Sequence, residues 1–224
     1  MISSIIVAGG RGERLASELP KQFLLLAGKP ILLRAVEAIW RCTRVSEMIV
    51  VAPETHIEVA KKVLSGKEVK VVSGGAERQD SVYAGLVSIS EQARLVLIHD
   101  GVRPFVSLDL IERVIAAAEK SGAAAPGVAL KETVKEVDDK TGLVIGTVDR
   151  RRLFLIQTPQ VFRREIIQEA HEKAQSLGFY ATDDAGLVEW LGMDVAVVSG
   201  EDANLKITTK LDLEFAEIIA KGRD

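Results

Sequence analysis

The sequence predicts an α/β fold in which a mostly parallel sheet is doubly wound, with helices on both of its faces. Short apolar runs alternate along the chain with segments whose apolar residues recur at helical spacing, which is typical of such a sheet. The first run, Ile5 to Ala8, is continuously apolar, as in a strand buried on both faces. It ends in the glycine-rich turn Gly9-Gly10-Arg11-Gly12, where a strand would emerge from the sheet.

The later strands and helices are predicted in the same way, from short apolar runs and from apolar residues at helical spacing. Ile31 to Trp40 places its apolar residues on one helical face, and Ser107 is a suitable N-cap for a helix that continues to Lys120. The other predicted strands are Met48 to Ala52, Val69 to Val72, Leu95 to Ile98, Leu153 to Ile156 and Val195 to Val198. The other predicted helices are Pro53 to Leu64, Asp80 to Ser90, Arg164 to Leu177, Asp184 to Leu191 and one that starts at Lys210.

The segment from Lys131 to Arg150 departs from this alternation. Thr133 to Val137 alternates with period two, Asp138 to Gly142 has turn composition, and Leu143 to Val148 is extended again. This pattern predicts a β-hairpin that is too polar for the interior of a parallel sheet. It is either a solvent-exposed excursion or a projecting arm that binds a second subunit, since a lone hairpin is only marginally stable in water.

Composition narrows the class of protein. A chain of 224 residues fits one large or two small domains, and a net charge of -3 gives no general attraction to nucleic acid. The single cysteine, Cys42, excludes an internal disulfide and is compatible with a reducing compartment. No apolar stretch reaches membrane-spanning length. We therefore expect a cytoplasmic protein that binds neither membranes nor nucleic acid.

Ligands of open parallel sheets bind at the carboxyl ends of the strands, and the segments expected there are rich in glycine and charge. They are the opening glycine loop with Arg14 and Lys21, then Gly74 to Ser81, His99 to Pro104, and Asn204 to Thr208. Backbone N–H groups surrounded by cations predict a polyphosphate site. The opening loop is neither a P-loop, which needs Gly-Lys-Ser/Thr, nor the dinucleotide fingerprint, because Leu15 stands at its third glycine position.

Asp100 is the main carboxylate candidate, because it follows a buried strand at a position that suits a magnesium ligand. A helix cap or an ion pair with Arg103 is its alternative explanation. Asp183-Asp184 opens a helix, where capping is favoured. His56 and His171 are expected at the surface, and the spacing of the histidines and Cys42 predicts no zinc site.

These residues supply cations, N–H donors and a carboxylate, but no evident general base. That suits a nucleophile that is already ionised, such as a phosphomonoester, whose second pKa is about 6. Its attack on the α-phosphorus of a nucleoside triphosphate requires mainly alignment and neutralisation of charge.

Several motifs resemble a known family, nearly from end to end. Ala8 to Leu15 with Pro20-Lys21-Gln22-Phe23 resembles the signature of sugar-nucleotide-type nucleotidyltransferases. Five further segments make the sequence similar to the 2-C-methyl-D-erythritol 4-phosphate cytidylyltransferases of the non-mevalonate isoprenoid pathway: Gly75 to Ser81, His99 to Pro104, Thr147 to Arg150, Gln157 to Gln160 and Asn204 to Thr208. The resemblance implies a Rossmann-like, GT-A-like nucleotidyltransferase domain over residues 1–224, with a dimerisation arm at about 131–150.

The resemblance also implies the reaction and the site. CMP would pass from CTP to 2-C-methyl-D-erythritol 4-phosphate with release of pyrophosphate, and Mg²⁺ would be required. The residues implied for CTP binding are Ala8, Gly9, Gly10, Arg11, Gly12, Gly75, Ala76 and Ser81. The implied catalytic cations are Arg14, Lys21, Arg150 and Lys206, of which Arg14 and Lys21 stabilise charge at the α-phosphate and pyrophosphate. The implied acceptor site comprises Asp100, Arg103, Thr133, Arg150, Thr158 and Lys206, with Asp100 also beside Mg²⁺.

Thr133 and Arg150 would reach the acceptor phosphate of the partner subunit, which would make the enzyme a homodimer. The sequence departs from the family at Ala76, where Asp is frequent, and at Gly101-Val102, where Ala-Ala is common. Two alternatives stay open: a ribitol-5-phosphate cytidylyltransferase, and a CTP-binding sensor without turnover.

Overall fold

The computed structural model describes residues 1–9 and 19–222, and within them a mixed sheet lies between two layers of helices. The strands are β1 (Ile2–Val7), β2 (Leu25–Leu26), β3 (Lys29–Pro30), β4 (Val45–Ala52), β5 (Lys70–Ser73), β6 (Leu95–Asp100), β7 (Ala123–Ala129), β8 (Val134–Val137), β9 (Val144–Val148), β10 (Phe154–Ile156), β11 (Gln160–Arg163) and β12 (Ala196–Ser199). The helices are α1 (Ile31–Trp40), α2 (Ile57–Val63), α3 (Arg78–Leu86), α4 (Leu108–Ser121), α5 (Arg164–Leu177), α6 (Asp184–Trp190) and α7 (Lys210–Lys221).

Within the described residues the main sheet has eight strands, in the order β10-β7-β11-β6-β1-β4-β5, with β12 beside β7. Strands β5, β4, β1 and β6 run parallel, and Ile5 of β1 lies opposite Ile49 of β4 and Ile98 of β6. Strand β11 is antiparallel to β6 and β7, and β10 is antiparallel to β7. The prediction of a mostly parallel α/β sheet is confirmed, while β7 and β11 were not predicted.

The two faces of the sheet carry separate apolar cores, as a doubly wound fold requires. Ile6 and the side chains that share its face pack against α1, α2 and α4. Ile5, the adjacent residue, faces the other way and packs with α3, α5 and α6. Because successive strand residues point to opposite faces, the apolar second half of β1, Ile5 to Val7, serves both cores.

The predicted hairpin is present. Strands β8 and β9 form a separate antiparallel pair, with Val134 opposite Val148, and most of their residues are exposed. We call residues 131–150 the hairpin arm. No helix in the described part of the chain is both long and apolar enough to cross a membrane.

The carboxyl ends of β1, β4, β5 and β6 meet at one edge of the sheet because these strands are parallel. Backbone hydrogen bonds hold the turns that follow them: Ala8 N donates to the Val51 carbonyl at 2.8 Å, and Gly74 N donates to the Ala52 carbonyl at 2.9 Å. Gly101 N donates to the Val7 carbonyl at 2.8 Å. The predicted site loops that follow β1, β5 and β6 are therefore held next to one another at the carboxyl edge of the sheet.

Candidate active site

A cavity of about 1040 Å³ opens at this edge of the sheet. Its lining comes from the turns after β1, β4, β5 and β6, from the short 3₁₀ helix Lys21–Phe23 and from the loop before α7. We call it the larger cavity. A smaller pocket of about 250 Å³ shares Arg78, Asp100 and Lys206 with it and adds Arg103 and Thr158. The shared residues form the boundary between two polar compartments.

Glycines shape the wall of the larger cavity after β5. A Cβ atom on Gly74 would lie 2.5 Å from Ser81 Oγ, and one on Gly75 would lie 2.4 Å from Asp80 Cβ. Both distances are shorter than a Cβ atom tolerates, so only glycine fits at these two positions. The backbone of the turn therefore packs directly on the start of α3. Gly9 also faces Ser81, whose Oγ would be 3.3 Å from an added Cβ. A ligand here meets main chain at close range.

Gln22, which is not among the predicted site residues, holds the turn that follows β1. Its side chain is buried, and Nε2 donates a 2.5 Å hydrogen bond to the carbonyl of Ala8. The neighbouring Lys21 lines the larger cavity. The backbone just after β1 is therefore held from the same 3₁₀ helix that brings Lys21 to the site.

Asp100 lies at the boundary of the two compartments and is surrounded by cations. Its Oδ2 is 2.8 Å from Lys206 Nζ and 3.6 Å from Arg103 Nε, and its Oδ1 accepts from Arg78 Nε at 3.3 Å. Burial alone would raise the pKa of Asp100, but Arg78, Lys206 and Arg103 outweigh it and hold this pKa well below its usual range. The ion pair with Arg103 that was considered as an alternative exists, as one of three.

His99 is fully buried and orients Thr158. Its Nε2 is 3.0 Å from the Arg103 carbonyl, which can only accept, so Nε2 carries the proton. Its Nδ1 then accepts from the Thr158 hydroxyl at 3.1 Å, while that hydroxyl oxygen accepts from Asp100 N at 3.0 Å. Burial lowers the pKa of His99 to about 4, so the ring is neutral near pH 7 and both nitrogens are engaged.

A buried polar contact joins the Lys206 loop to the segment that carries Thr158. Asn204 is fully buried, and its Nδ2 donates to the Thr158 carbonyl at 2.8 Å and to Gln157 Oε1 at 3.3 Å. The Asn204 carbonyl accepts from Arg103 Nη1 at 2.7 Å. Gln157 and Asn204 lie in two of the motifs that carry the family resemblance, but the hydrogen bond between them depends on the fold and is not contained in either motif.

Asp184 and His171 are buried residues that connect to the site through Arg78. Asp183 caps α6 as predicted, since its Oδ1 accepts from Gly186 N at 2.9 Å. Asp184 is instead buried, with Oδ2 at 2.7 Å from Arg78 Nη1 and Oδ1 at 3.2 Å from His171 Nε2. The prediction that His171 lies at the surface is wrong: it is 1% exposed, because it lies on the apolar face of α5 beside Ile167.

The structure brings most of the predicted site residues together. The predicted residues that line the larger cavity are Ala8, Gly9, Lys21, Gly75, Ala76, Ser81, Asp100 and Lys206. Those that line the smaller pocket are Asp100, Arg103, Thr158 and Lys206. Gly10, Arg11, Gly12 and Arg14 lie outside the described residues. Thr133 and Arg150 line neither compartment; both are exposed, on the hairpin arm.

Arg78 is the main residue that the predictions omitted. It is the first residue of α3 and follows a predicted glycine turn, which was a sufficient reason to consider it. It lines both compartments and contacts both Asp100 and Asp184.

A second open groove, of about 1070 Å³, lies at the opposite edge of the sheet around Arg44 and Arg164. Those arginines already bond protein acceptors: Arg44 pairs with Glu119, and Arg164 donates to the Glu91 carbonyl at 2.6 Å. No glycine is among the residues described as lining it. The carboxyl edge is therefore the better candidate for an anionic ligand.

A doubly wound sheet with glycine turns, Lys21 and Lys206 around one cavity at its carboxyl edge has the architecture of a nucleotidyltransferase. Comparisons with known proteins identify the family. The family model described as "IspD: 2-C-methyl-D-erythritol 4-phosphate cytidylyltransferase" matches residues 2–222. The chain belongs to the 2-C-methyl-D-erythritol 4-phosphate cytidylyltransferase family.

Individual relatives agree over their full length. The protein of that name from Syntrophus aciditrophicus is 44% identical over 228 residues, covering 100% of this chain and 97% of the relative. The crystal structure of 4-diphosphocytidyl-2C-methyl-D-erythritol synthase from Anaerococcus prevotii superposes with a TM-score of 0.87 at 34% identity, covering 98% of each chain. The cytidylyltransferase structure from Thermus thermophilus gives a TM-score of 0.83 at 36% identity, covering 99% of this chain and 100% of that one.

Proposed function

We propose that this protein transfers CMP from CTP to 2-C-methyl-D-erythritol 4-phosphate and releases pyrophosphate, acting as a single nucleotidyltransferase domain in the cytoplasm. The observation that carries the proposal is the shared boundary of the two compartments. Lys21 lines the larger cavity, while Arg78, Asp100 and Lys206 line both compartments. CTP would occupy the larger cavity, and the acceptor would occupy the smaller pocket.

The nucleotide is proposed to bind against main chain in the larger cavity. Ala8, Gly9 and the loop Gly10 to Gly12 would contact the phosphates and help to seat the base. The turn Gly75-Ala76 and Ser81 would complete the cytosine pocket. The short distances from Gly74 and Gly75 to α3 support this role, because they leave the backbone of that turn as the contact surface.

The reaction needs no proton transfer to start. A phosphomonoester has a second pKa of about 6, so its oxygen is already anionic when it attacks the α-phosphorus. The cations Arg14, Lys21 and Lys206 would neutralise charge as it develops at the α-phosphate and on pyrophosphate. Thr158 and Arg103 would orient the acceptor beside Asp100, and the buried hydrogen bonds from His99 and Asn204 support that arrangement.

Mg²⁺ is proposed as the cofactor. The described residues contain no group of three or more metal-ligating side chains, so a protein-only metal cage is not expected within them. Mg²⁺ usually takes one or two carboxylates together with substrate phosphates, and Asp100 is a buried carboxylate on the cavity wall that fits this pattern. When bound, the ion would neutralise phosphate charge, with Asp100 as the protein ligand beside it.

A homodimer joined through the hairpin arm is part of the proposal. The arm exposes Leu143, Val144 and Ile145, and the neighbouring β10 exposes Phe154 and Leu155. Exposed apolar side chains grouped in this way are typical of protein–protein contacts. Thr133 and Arg150 would then reach the acceptor phosphate of the partner subunit, which accounts for their distance from the compartments of their own chain.

The decisive assay offers CTP and Mg²⁺ with either 2-C-methyl-D-erythritol 4-phosphate or ribitol 5-phosphate and measures pyrophosphate release. We expect turnover with the first acceptor. Preference for ribitol 5-phosphate would replace the proposed acceptor. Binding of CTP without pyrophosphate release from either acceptor would identify a sensor.

The arm is tested separately with Arg150→Ala, which should raise the KM for the acceptor and leave CTP binding unchanged. The neighbouring exposed Arg151→Ala is the matched control. Mixed dimers of Arg150→Ala with Lys206→Ala contain one site in which both residues are intact if the arm acts across subunits. Recovery of that site supports the proposal, and no recovery refutes it.

A further inference from the structure

A line of hydrogen-bonded polar side chains extends from the proposed acceptor site into the core, beyond the residues used in the mechanism above. His171 Nε2 lies 3.2 Å from Asp184 Oδ1, and Asp184 Oδ2 accepts from Arg78 Nη1 at 2.7 Å. Arg78 Nε then donates to Asp100 Oδ1 at 3.3 Å, and Asp100 Oδ2 is 2.8 Å from Lys206 Nζ. We call His171, Asp184 and Arg78 the support line.

In the support line, His171 and Asp184 are buried, whereas Arg78 reaches the surface of the site. His171 and Asp184 are each 1% exposed and line neither the larger cavity nor the smaller pocket, whereas Arg78 lines both. Burying a carboxylate and a guanidinium costs free energy that only good pairing offsets. Because a guanidinium is planar, carboxylates on Nη1 and Nε fix the plane of Arg78 as well as its position.

The three cations around Asp100 are not held equally. Arg78 is bound by Asp184 as well as Asp100, and Arg103 also donates to the Asn204 carbonyl at 2.7 Å. The Lys206 side chain is 41% exposed and ends in an ammonium group on a flexible stem. Lys206 is therefore the cation best able to exchange Asp100 for an incoming phosphate.

We infer that Asp184 and His171 are positioning residues of the transferase site, which hold Arg78 against Asp100 while Lys206 turns from Asp100 to the acceptor phosphate. This inference rests on the proposed function, since it assigns a use to the same site. Without a fixed Arg78, Asp100 loses one of its two firmly held partners and binds Lys206 more strongly. The acceptor phosphate then competes less well for Lys206.

The test compares two replacements of His171. His171→Gln keeps an N–H donor near the position of Nε2, whereas His171→Leu removes it. Ile167→Val, a buried change on the same helix that alters no residue of the support line, is the matched control for lost packing. The readouts are kcat and KM for the acceptor, the Kd for CTP by calorimetry, and the urea unfolding midpoint.

We expect His171→Leu to lower kcat/KM for the acceptor by about 10- to 100-fold, by analogy with the range found when a partner that orients a metal ligand is removed. The Kd for CTP should change much less, because the effect is passed through Asp100 to Lys206, the group that turns to the acceptor phosphate. His171→Gln should recover most of the loss, and Ile167→Val should show none. Unchanged acceptor kinetics in His171→Leu, no recovery in His171→Gln, or an equal loss in Ile167→Val would each overturn the inference.

A readout without turnover separates this inference from the proposed function. The Nε–H resonance of Arg78, assigned by its loss in Arg78→Lys, should exchange slowly with water in the wild type and in His171→Gln, and faster in His171→Leu. If the wild type releases no pyrophosphate while this difference holds, the proposed function fails and the support line stands. Equal exchange in all three proteins rejects the support line. If His171→Leu does not fold, Asp184→Asn replaces it with the same expectations.

Discussion

Gln157→Ala tests whether the buried contact behind Lys206 positions the site. Gln157 Nε2 donates to the Glu201 carbonyl at 2.8 Å and, weakly, to the Asn204 carbonyl at 3.5 Å. Its Oε1 accepts from Glu201 N at 3.2 Å and from Asn204 Nδ2 at 3.3 Å. One side chain thus ties the loop that carries Lys206 to the segment that carries Thr158.

The cost can be worked out bond by bond. Asn204 keeps its own bonds to Thr158 and Arg103, so the loss falls mainly on the N–H and carbonyl of Glu201. A net hydrogen bond contributes about 0.5–1.5 kcal/mol, and a buried group left unpaired costs about 1–3 kcal/mol. We therefore expect the free energy of unfolding to fall by about 2–3 kcal/mol.

The functional effect should fall on the acceptor rather than on CTP. Misplacement of a positioning group by about 1 Å can cost about 100-fold in rate, so kcat/KM for the acceptor should fall by about 10- to 100-fold. Asp202→Asn, in the same loop, weakens only an exposed pair with Lys131 and should cost less than about 1 kcal/mol.

Urea unfolding and acceptor kinetics are measured on both variants. A fall below about 1 kcal/mol in Gln157→Ala, or acceptor kinetics equal to those of the wild type, would refute this reasoning.

Three further predictions concern charge, pH and packing. Lys21→Ala should lower kcat by about two to three orders of magnitude, as loss of a preorganised electrostatic donor does, and near-normal turnover would exclude Lys21 from the transition state. Native His99 has a pKa of about 4, below the usual 6.5, so only the unfolded chain gains its proton between those values and stability falls as pH drops. Between pH 7.5 and 5 urea unfolding should show a loss of about 2 kcal/mol that is absent in His99→Gln. Gly85→Ala should destabilise the fold by about 1–3 kcal/mol, because its Cβ would lie 2.5 Å from Ile5 Cγ2, and an unchanged unfolding midpoint would contradict that.

The sequence was most informative where one periodicity dominated. Helices α1 and α5 begin and end where predicted, because their apolar residues recur at one spacing and their neighbours do not continue it. The hairpin arm was recognisable because its strands alternate with period two and are separated by a turn. Strand β1 was found, although it starts at Ile2 rather than Ile5.

Two strands of the sheet gave weak local signals. Strand β7 reads Ala-Ala-Ala-Pro-Gly-Val-Ala, with one β-branched residue, so neither propensity nor alternation marks it as a strand. It becomes a strand because β10, β11 and β12 all pair with it. Strand β11 is only Gln160–Arg163 and runs antiparallel between two longer strands. Both depend on contacts between distant segments, which a local pattern does not contain.

The same limit explains which parts of the site were missed. Lys21, Asp100 and Lys206 could be predicted, because glycine and charge at the ends of strands are local signals. The residues behind Asp100 come from other elements. Arg78, at the start of α3, contacts Asp100, and Asp184, on α6, contacts Arg78. His171 was misassigned because charge dominates its helix, although its own position is on the buried face.

The arrangement of these charges explains how a protein of net charge -3 can gather two polyanions. Asp100 and Asp184 carry two negative charges against three positive charges on Arg78, Arg103 and Lys206, which leaves one positive charge within this ion-pair cluster. Lys21 adds a positive charge on the wall of the larger cavity, which the carboxylates Glu54 and Glu77 also line. The carboxylates of Asp100 and Asp184 do not neutralise all of the positive charge of the cluster; they hold Arg78 and Arg103 in place. The positive charge that remains is then carried by lysine, whose flexible side chain can move with a phosphate as bonds form and break. Such a site lowers the barrier by placing charge where it is needed, and an acceptor that is already ionised makes a proton shuttle unnecessary.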